Sequence, residues 1–205
     1  MITIGVTGGI GSGKSLVCSL FSQEGIPVFY ADDVAKELPE KDFSLLQRIG
    51  KEFGPDTIDT KAKKLNPKVL AAKVFPEHKK VQKLNAILHP LVFREFDIWK
   101  SNHSSSQYVL LEAALLYESG MNAMTDYVLL VHAEEHLRIK RIQTRNGLSV
   151  EQIRARMNNQ SDPDVVMKKA DFVVQNNGTE EDLSHKIKFF HLLFSNLTTS
   201  VTNSK

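Results

Sequence analysis

The chain has 205 residues, 41% hydrophobic and 24% charged, an ordinary balance for a globular protein with one substantial core and a smaller appended part. A formal charge of +2 is too small to argue for nucleic-acid or membrane-surface binding, and the single cysteine, Cys18, excludes an intramolecular disulfide framework and a thiolate metal site. No apolar run reaches the ~20 residues of a membrane span, and the residues before the first motif leave no room for a signal peptide, so a cytoplasmic protein is expected.

Ile2 to Thr7 alternates and is rich in β-branched residues, which predicts a buried first strand. Lys14 to Glu24 carries Leu16, Val17, Leu20 and Phe21 at helical spacing, with Gly25 as a stop signal. Residues 26–30 read as a short second strand with Pro27 at its start, and a helix is expected to open at Asp32 as its N-cap. Residues 41–100 are rich in Lys, Leu, Ala and Phe at helical spacing, interrupted at Gly54-Pro55, Asn66-Pro67, Phe75-Pro76 and His89-Pro90. Three or four short helices in an inserted lobe are expected there. A polar loop (101–106) leads to a strand at Tyr108–Glu112, and another strand follows at Tyr127–Val131. Helices over 134–145 and 150–159, a strand at 172–174, a closing helix from Glu180 to about Leu193 and a frayed tail over 198–205 complete the chain. Strands alternating with helices predict an α/β protein with a mainly parallel sheet.

Residues 8–15 read Gly-Gly-Ile-Gly-Ser-Gly-Lys-Ser directly after the first strand, meeting the phosphate-loop pattern at Gly8, Gly13, Lys14 and Ser15. Such a loop must point successive N–H groups into one concavity at a helix N-terminus. Its glycines at 8, 9, 11 and 13 leave no side chain in the way. Lys14 supplies a mobile positive charge for the phosphates, and the Ser15 hydroxyl is suited to Mg²⁺. ATP as co-substrate and Mg²⁺ as its companion ion are inferred from that chemistry.

The rest of the chain narrows the class. None of the 11 glycines has an Asp three positions before it, and Asn-Lys occurs nowhere, so a GTPase's switch and base reader are missing. The four-apolar-residue strand of a motor ATPase, ending in Asp-Glu, has its nearest match at Leu110-Leu111-Glu112-Ala113, with one carboxylate. A small-molecule kinase needs a carboxylate near its acceptor hydroxyl, and Asp32 and Asp33 follow the second strand on the ligand edge of the sheet. Either one, or both, also suits a helix cap, and spacing alone does not separate them. Arg138, Arg141 and Arg145 share one helix face, as innocent surface cations or as a lid over triphosphate charge. Arg154 and Arg156 follow in the next helix.

From Ile4 through Ser15 onward the chain resembles the dephospho-CoA kinase family, over residues 2 to about 185. The likeness includes Tyr30-Ala31-Asp32, Leu88-His89-Pro90-Leu91, Leu115-Leu116-Tyr117-Glu118-Ser119, Arg141 with Arg145, Gln160, and Ala170-Asp171 followed by Asn176-Asn177-Gly178. It departs from the family pattern at Tyr30, where a first Asp is usual, at Glu112 for Asp, at Ala114 and Tyr117, at Leu16, and at Pro67 where an arginine is common.

The resemblance implies one P-loop kinase domain over 1–205 with strand order 2-3-1-4-5, a helical acceptor lobe at 41–100 and a lid at about 138–165. It implies transfer of the ATP γ-phosphoryl group to the 3′-hydroxyl of dephospho-CoA. Asp32, Lys14 and Arg141 are the expected catalytic residues. Gly9, Gly11, Ser12, Gly13, Lys14, Ser15, Leu16, Arg145 and Asn177 are expected to hold ATP, with Asn176-Asn177-Gly178 near the adenine. Asp32, His89 and Leu116 are expected to meet the acceptor, although a His before Pro is as readily structural. The alternatives are another small-molecule kinase, such as one for a nucleoside monophosphate, or a non-catalytic nucleotide-binding protein. A monomer or weak homo-oligomer is expected.

Overall fold

The computed structural model describes residues 1–74, 76–158 and 160–202; Phe75, Asn159 and the last three residues of the expected tail lie outside it. In chain order the elements are β1 (Ile2–Thr7), α1 (Lys14–Gln23), β2 (Val28–Tyr30), α2 (Ala31–Lys41), α3 (Phe43–Phe53), β3 (Ile58–Asp59), β4 (Lys64–Leu65), α4 (Pro67–Val74) and α5 (His78–Asn102). They continue with β5 (Tyr108–Glu112), β6 (Tyr127–His132), α6 (Glu135–Asn146), α7 (Val150–Met157), α8 (Pro163–Lys169), β7 (Phe172–Gln175) and α9 (Glu180–Thr202). The chain divides into two compact units, Met1–Tyr30 with Lys100–Lys205, and Ala31–Trp99.

The first unit is built on a five-stranded parallel sheet in the order β2-β5-β1-β6-β7. Counting only these five strands, that is the 2-3-1-4-5 order expected. β1 is paired on both edges and buried throughout, with Ile2, Ile4 and Val6 in one cluster with α1 and α9 and Gly5 covered by Leu116. Two aspartates set the register of the last strands. Asp126 accepts from the Thr3 N–H at 2.7 Å while its own N–H donates to the Thr3 carbonyl at 2.8 Å. Asp171 treats Val128 the same way, at 2.8 and 3.1 Å. Ala170-Asp171, read above as part of a family signature, is therefore a device for aligning β7 on β6.

The core of this unit joins β1 and β5 to α1 and α9. Val17, Cys18 and Phe21 of α1 meet Leu183, Ile187 and Phe194 of α9 in one buried cluster. Phe21 stacks on Phe194 at 6.1 Å and meets the edge of Tyr108 at 6.4 Å between centroids. The Tyr108 hydroxyl is hydrogen-bonded to His191 Nδ1 at 2.9 Å, which satisfies its polar end. Burial, helped by Glu112 and opposed by Lys14, pushes the Cys18 thiol up and keeps it inert.

In the second unit α3 is the most amphipathic helix, with Leu45, Leu46, Ile49 and Phe53 buried. Asp42 caps it, accepting from the N–H groups of Ser44 at 2.8 Å and Leu45 at 3.2 Å. Pro67 opens α4, where its missing N–H would have no helical partner anyway.

Several elements differ from expectation. α2 begins at Ala31, so Asp32 lies in its first turn and not at its cap, a position the helix dipole also favours for a carboxylate. The lobe contains a small antiparallel hairpin, β3 with β4, turned by Lys63 at φ 53°. α5 runs for 25 residues straight through Pro90 and takes over the start of the expected polar loop. α8 was not expected; Asp162 caps it and Pro163 occupies its first turn. α9 continues past Leu193 because Phe194 and Leu197 extend its apolar face onto the core, so residues 198–202 are helical. Among the described residues no helix is long and apolar enough to cross a membrane.

Candidate functional site

The loop between β1 and α1 is shaped by residues far away in sequence. Gly13 is the N-cap of α1 at φ 97°, with no side-chain cap bond. The first N–H groups of α1 are thus left without a capping side chain, which makes the helix end an anion-binding position. A Cβ at Gly13 would stand 2.2 Å from Asn176 Nδ2, so glycine is required by both conformation and space. Gly9 leaves room for Arg138: a Cβ there would stand 2.4 Å from a terminal nitrogen of Arg138, which would have to shift.

The carbonyls of the loop are taken by donors. Lys14 Nζ donates to the Gly8 carbonyl at 2.8 Å. Arg138 Nε donates to the Ile10 carbonyl at 2.9 Å. Asn176 Nδ2 donates to the Ser12 carbonyl at 2.7 Å, and Arg141 makes a long contact to the same oxygen at 3.5 Å. Arg141 also donates to the Asn176 carbonyl at 2.9 Å. The Ile10 N–H donates to Gln160 Oε1 at 2.7 Å, and the following Ser161 N–H donates to Glu118 at 3.0 Å.

Two clefts flank the loop. In one, of about 290 Å³, Gly11, Gly13, Lys14, Ser15 and Leu16 face Arg141, Ile142 and Arg145 of α6. The Ser15 side chain is exposed at the start of α1, and Arg145 is exposed, its Nε donating to Asn146 at 2.9 Å. The other cleft, of about 180 Å³, is lined by Gly9, Ser12, Tyr117, Glu118, Arg138 and Gln160 among others. Ser12 Oγ and Tyr117 Oη are buried with no hydrogen-bond partner among the described residues. Glu112 ends β5 opposite Val6 and is nearly buried.

These positions bring most of the sequence-predicted ATP residues around one helix end and leave others elsewhere. Arg138, read from the sequence as a lid cation, is 8% exposed and packs behind the loop. Burial draws its pKa down from the usual arginine value, with Glu135 on the same helix opposing. Asn177 is exposed and ties the start of α6, accepting from the Glu134 N–H at 3.0 Å and donating to its carboxylate at 3.1 Å. The neighbour that touches the loop is Asn176, which the resemblance placed with Asn177 near the adenine and which here donates to the loop carbonyl of Ser12. Val174 buried, Gln175 exposed and Asn176 buried continue the two-residue period of β7 one step past its end, which turns the Asn176 side chain inward. Leu116 is fully buried and covers Gly5, where a Cβ would stand 2.8 Å from Leu116 Cδ2. Asp32 in α2 and His89 in α5 belong to the second unit. The His89 ring stacks on Phe93 at 6.1 Å, and burial lowers its pKa.

A family model described as dephospho-CoA kinase matches residues 2–182 of this framework. The chain belongs to the dephospho-CoA kinase family. It is 40% identical over 191 residues to the dephospho-CoA kinase of Salinibacter ruber, spanning 91% of this chain and 94% of that protein. A solved protein from Thermus thermophilus superposes with a TM-score of 0.79 at 33% identity, over 93% of this chain and 96% of that one. The solved dephospho-CoA kinase from Campylobacter jejuni superposes with a TM-score of 0.72 at 25% identity, over 95% and 97%. The family match takes in the whole sheet and ends within the first turn of α9.

Proposed function

We propose that the chain transfers the γ-phosphoryl group of ATP to the 3′-hydroxyl of dephospho-CoA. The observation that carries this reading is the uncapped N-terminus of α1, faced by Lys14, Arg141 and Arg145 in a chain of this family. Phosphate oxygens entering that cleft meet backbone N–H groups and three cations, which stabilise negative charge as it moves from donor to acceptor.

In this reading the Lys14 ammonium exchanges the Gly8 carbonyl for the β- and γ-phosphates. The guanidiniums of Arg141 and Arg145 neutralise the charge that builds up on the leaving oxygen. Asp32 is the carboxylate that orients the acceptor hydroxyl and takes its proton. It follows β2 by two residues, after the carboxyl ends of the strands where open α/β sheets hold ligands. His89 is assigned to the acceptor side, and Leu116 serves beneath the sheet edge as packing.

The residues also fit Mg²⁺. The exposed Ser15 hydroxyl at the start of α1 is a hard oxygen ligand, and Mg²⁺ in phosphoryl-transfer sites keeps water and phosphate for most of its other positions. When bound there, the ion would shield charge on the triphosphate.

The test is ADP release measured with dephospho-CoA, AMP, uridine and pantetheine phosphate as separate acceptors. Turnover with dephospho-CoA alone is expected. Turnover only with AMP would replace the acceptor, and none with any acceptor would leave a nucleotide-binding protein.

A further inference from the structure

Arg138 is an unusual arginine. Charged residues are seldom buried, yet this one is 8% exposed, and with Glu135 of the same helix as an acidic neighbour it spends its Nε on a backbone carbonyl, that of Ile10, at 2.9 Å. Its guanidinium occupies the space a side chain at residue 9 would need. The N–H of the same Ile10 is held from another direction by Gln160 at 2.7 Å. The two peptide planes on either side of the Ile10 Cα are therefore both fixed, and a turn bond from Ser12 N–H to the Gly9 carbonyl at 3.0 Å closes the tip around them.

The carbonyls of Gly8, Ile10 and Ser12 are each occupied by a donor, from Lys14, Arg138 and Asn176. A carbonyl oxygen turned into a phosphate cradle would repel its ligand. Of the three donors, the Lys14 ammonium is the one the proposed reaction draws away to the phosphates. Arg138 has no such second duty.

We propose that Arg138 is a positioning residue for phosphoryl transfer, holding the tip of the phosphate loop in its nucleotide-ready form before ATP arrives. The proposal rests on the reading of this loop as the ATP site. A loop set in advance spends no binding energy on being ordered, and small misplacement of reacting groups lowers rate steeply.

The experiment uses the full chain with Arg138→Ala, Arg138→Gln, Arg138→Lys and Gly9→Ala, and the double variant Gly9→Ala/Arg138→Ala. Binding of a non-hydrolysable ATP analogue is measured by calorimetry with no acceptor present, and kcat and both KM values are measured in turnover. Arg138→Ala is expected to raise the analogue Kd about tenfold and lower kcat about 10–100-fold, with the KM for dephospho-CoA within about twofold of wild type. Arg138→Lys, which keeps a cationic donor, recovers most of the affinity. Gly9→Ala weakens binding in the wild-type background and adds nothing further once Arg138 is alanine, because the group it strikes is gone. If Arg138→Ala does not fold, Arg138→Gln carries the same comparison.

An analogue Kd within about twofold of wild type in the neutral variants overturns the proposal. So does full additivity of the Gly9 and Arg138 changes. Because the binding arm contains no acceptor, it decides the role of Arg138 even if dephospho-CoA proves the wrong acceptor, which wild-type turnover alone decides.

Discussion

Asn176 donates its side-chain amide to the carbonyl oxygen of Ser12 at 2.7 Å, joining the end of β7 to the phosphate loop across 164 residues of sequence. The residue is 4% exposed, and its own carbonyl accepts from Arg141 at 2.9 Å. Removing the amide leaves a buried carbonyl short of a donor, at a cost of about 1–3 kcal/mol. Asn176→Ala is therefore expected to lower the thermal midpoint by several degrees and weaken ATP binding together. Asn176→Asp should be worse than alanine, since it sets a carboxylate against the Ser12 carbonyl. Differential scanning calorimetry and nucleotide titration on the same samples check both; unchanged stability in the alanine variant would refute the bridge.

Gly13 meets two separate demands, a left-handed backbone at φ 97° and contact with Asn176. The conformational part alone is worth about 1–2 kcal/mol, and the amide 2.2 Å from the added Cβ has to be displaced as well. Gly13→Ala is expected to abolish measurable ATP binding, while Gly120→Ala, also at positive φ but in open space and away from the loop, lowers stability only. Equal ATP affinity in the two variants would show that the loop tolerates the change.

The sheet and the phosphate loop were legible because each is written locally. Ile2 to Thr7 alternates, the glycine motif follows, and Leu16, Val17, Leu20 and Phe21 repeat at helical spacing. The supports of the loop were not legible, because Arg138 and Asn176 act on backbone carbonyls, and a carbonyl leaves no mark in the sequence. For the same reason Asn177 and Asn176 looked interchangeable until each had its partner, Glu134 for one and Ser12 for the other. Pro90 misled in the opposite direction. A proline usually ends a helix, but α5 continues on both sides of it, with Val92 and Phe96 buried beyond. The hairpin at 58–65 rests on Lys63 in a left-handed conformation, which lysine composition does not announce.

Asp32 carries the acceptor half of the proposed chemistry. Asp32→Asn keeps size and polarity but cannot take a proton, so kcat is expected to fall about 10²–10⁴-fold while ATP still binds. Asp33, whose carboxylate is already paired with Lys36 at 2.7 Å on an exposed surface, provides the control, and Asp33→Asn should stay near wild-type rate. A full rate in Asp32→Asn together with a collapse in Asp33→Asn would exchange the two roles.

His89 makes stability depend on pH. Burial lowers its pKa from 6.5 in the folded chain, so the unfolded chain binds a proton more readily. The stability it contributes is full above the unfolded pKa and is lost as pH falls through 6.5 toward the lower folded value. The thermal midpoint should drop as pH falls below 6.5. His89→Gln should flatten part of that slope, and an identical slope in the variant would assign it to other groups.

The apolar face of α1 is covered by α9, through Phe21 on Phe194 and the cluster around Leu183 and Ile187. During synthesis α1 leaves the ribosome long before α9 exists. Until then the part of the helix face that α9 covers stays open to water and to chaperones, while β1 and β5 cover the rest. A nascent chain arrested before residue 183 should thus be captured by chaperones, and the release of that chain should await the last helix.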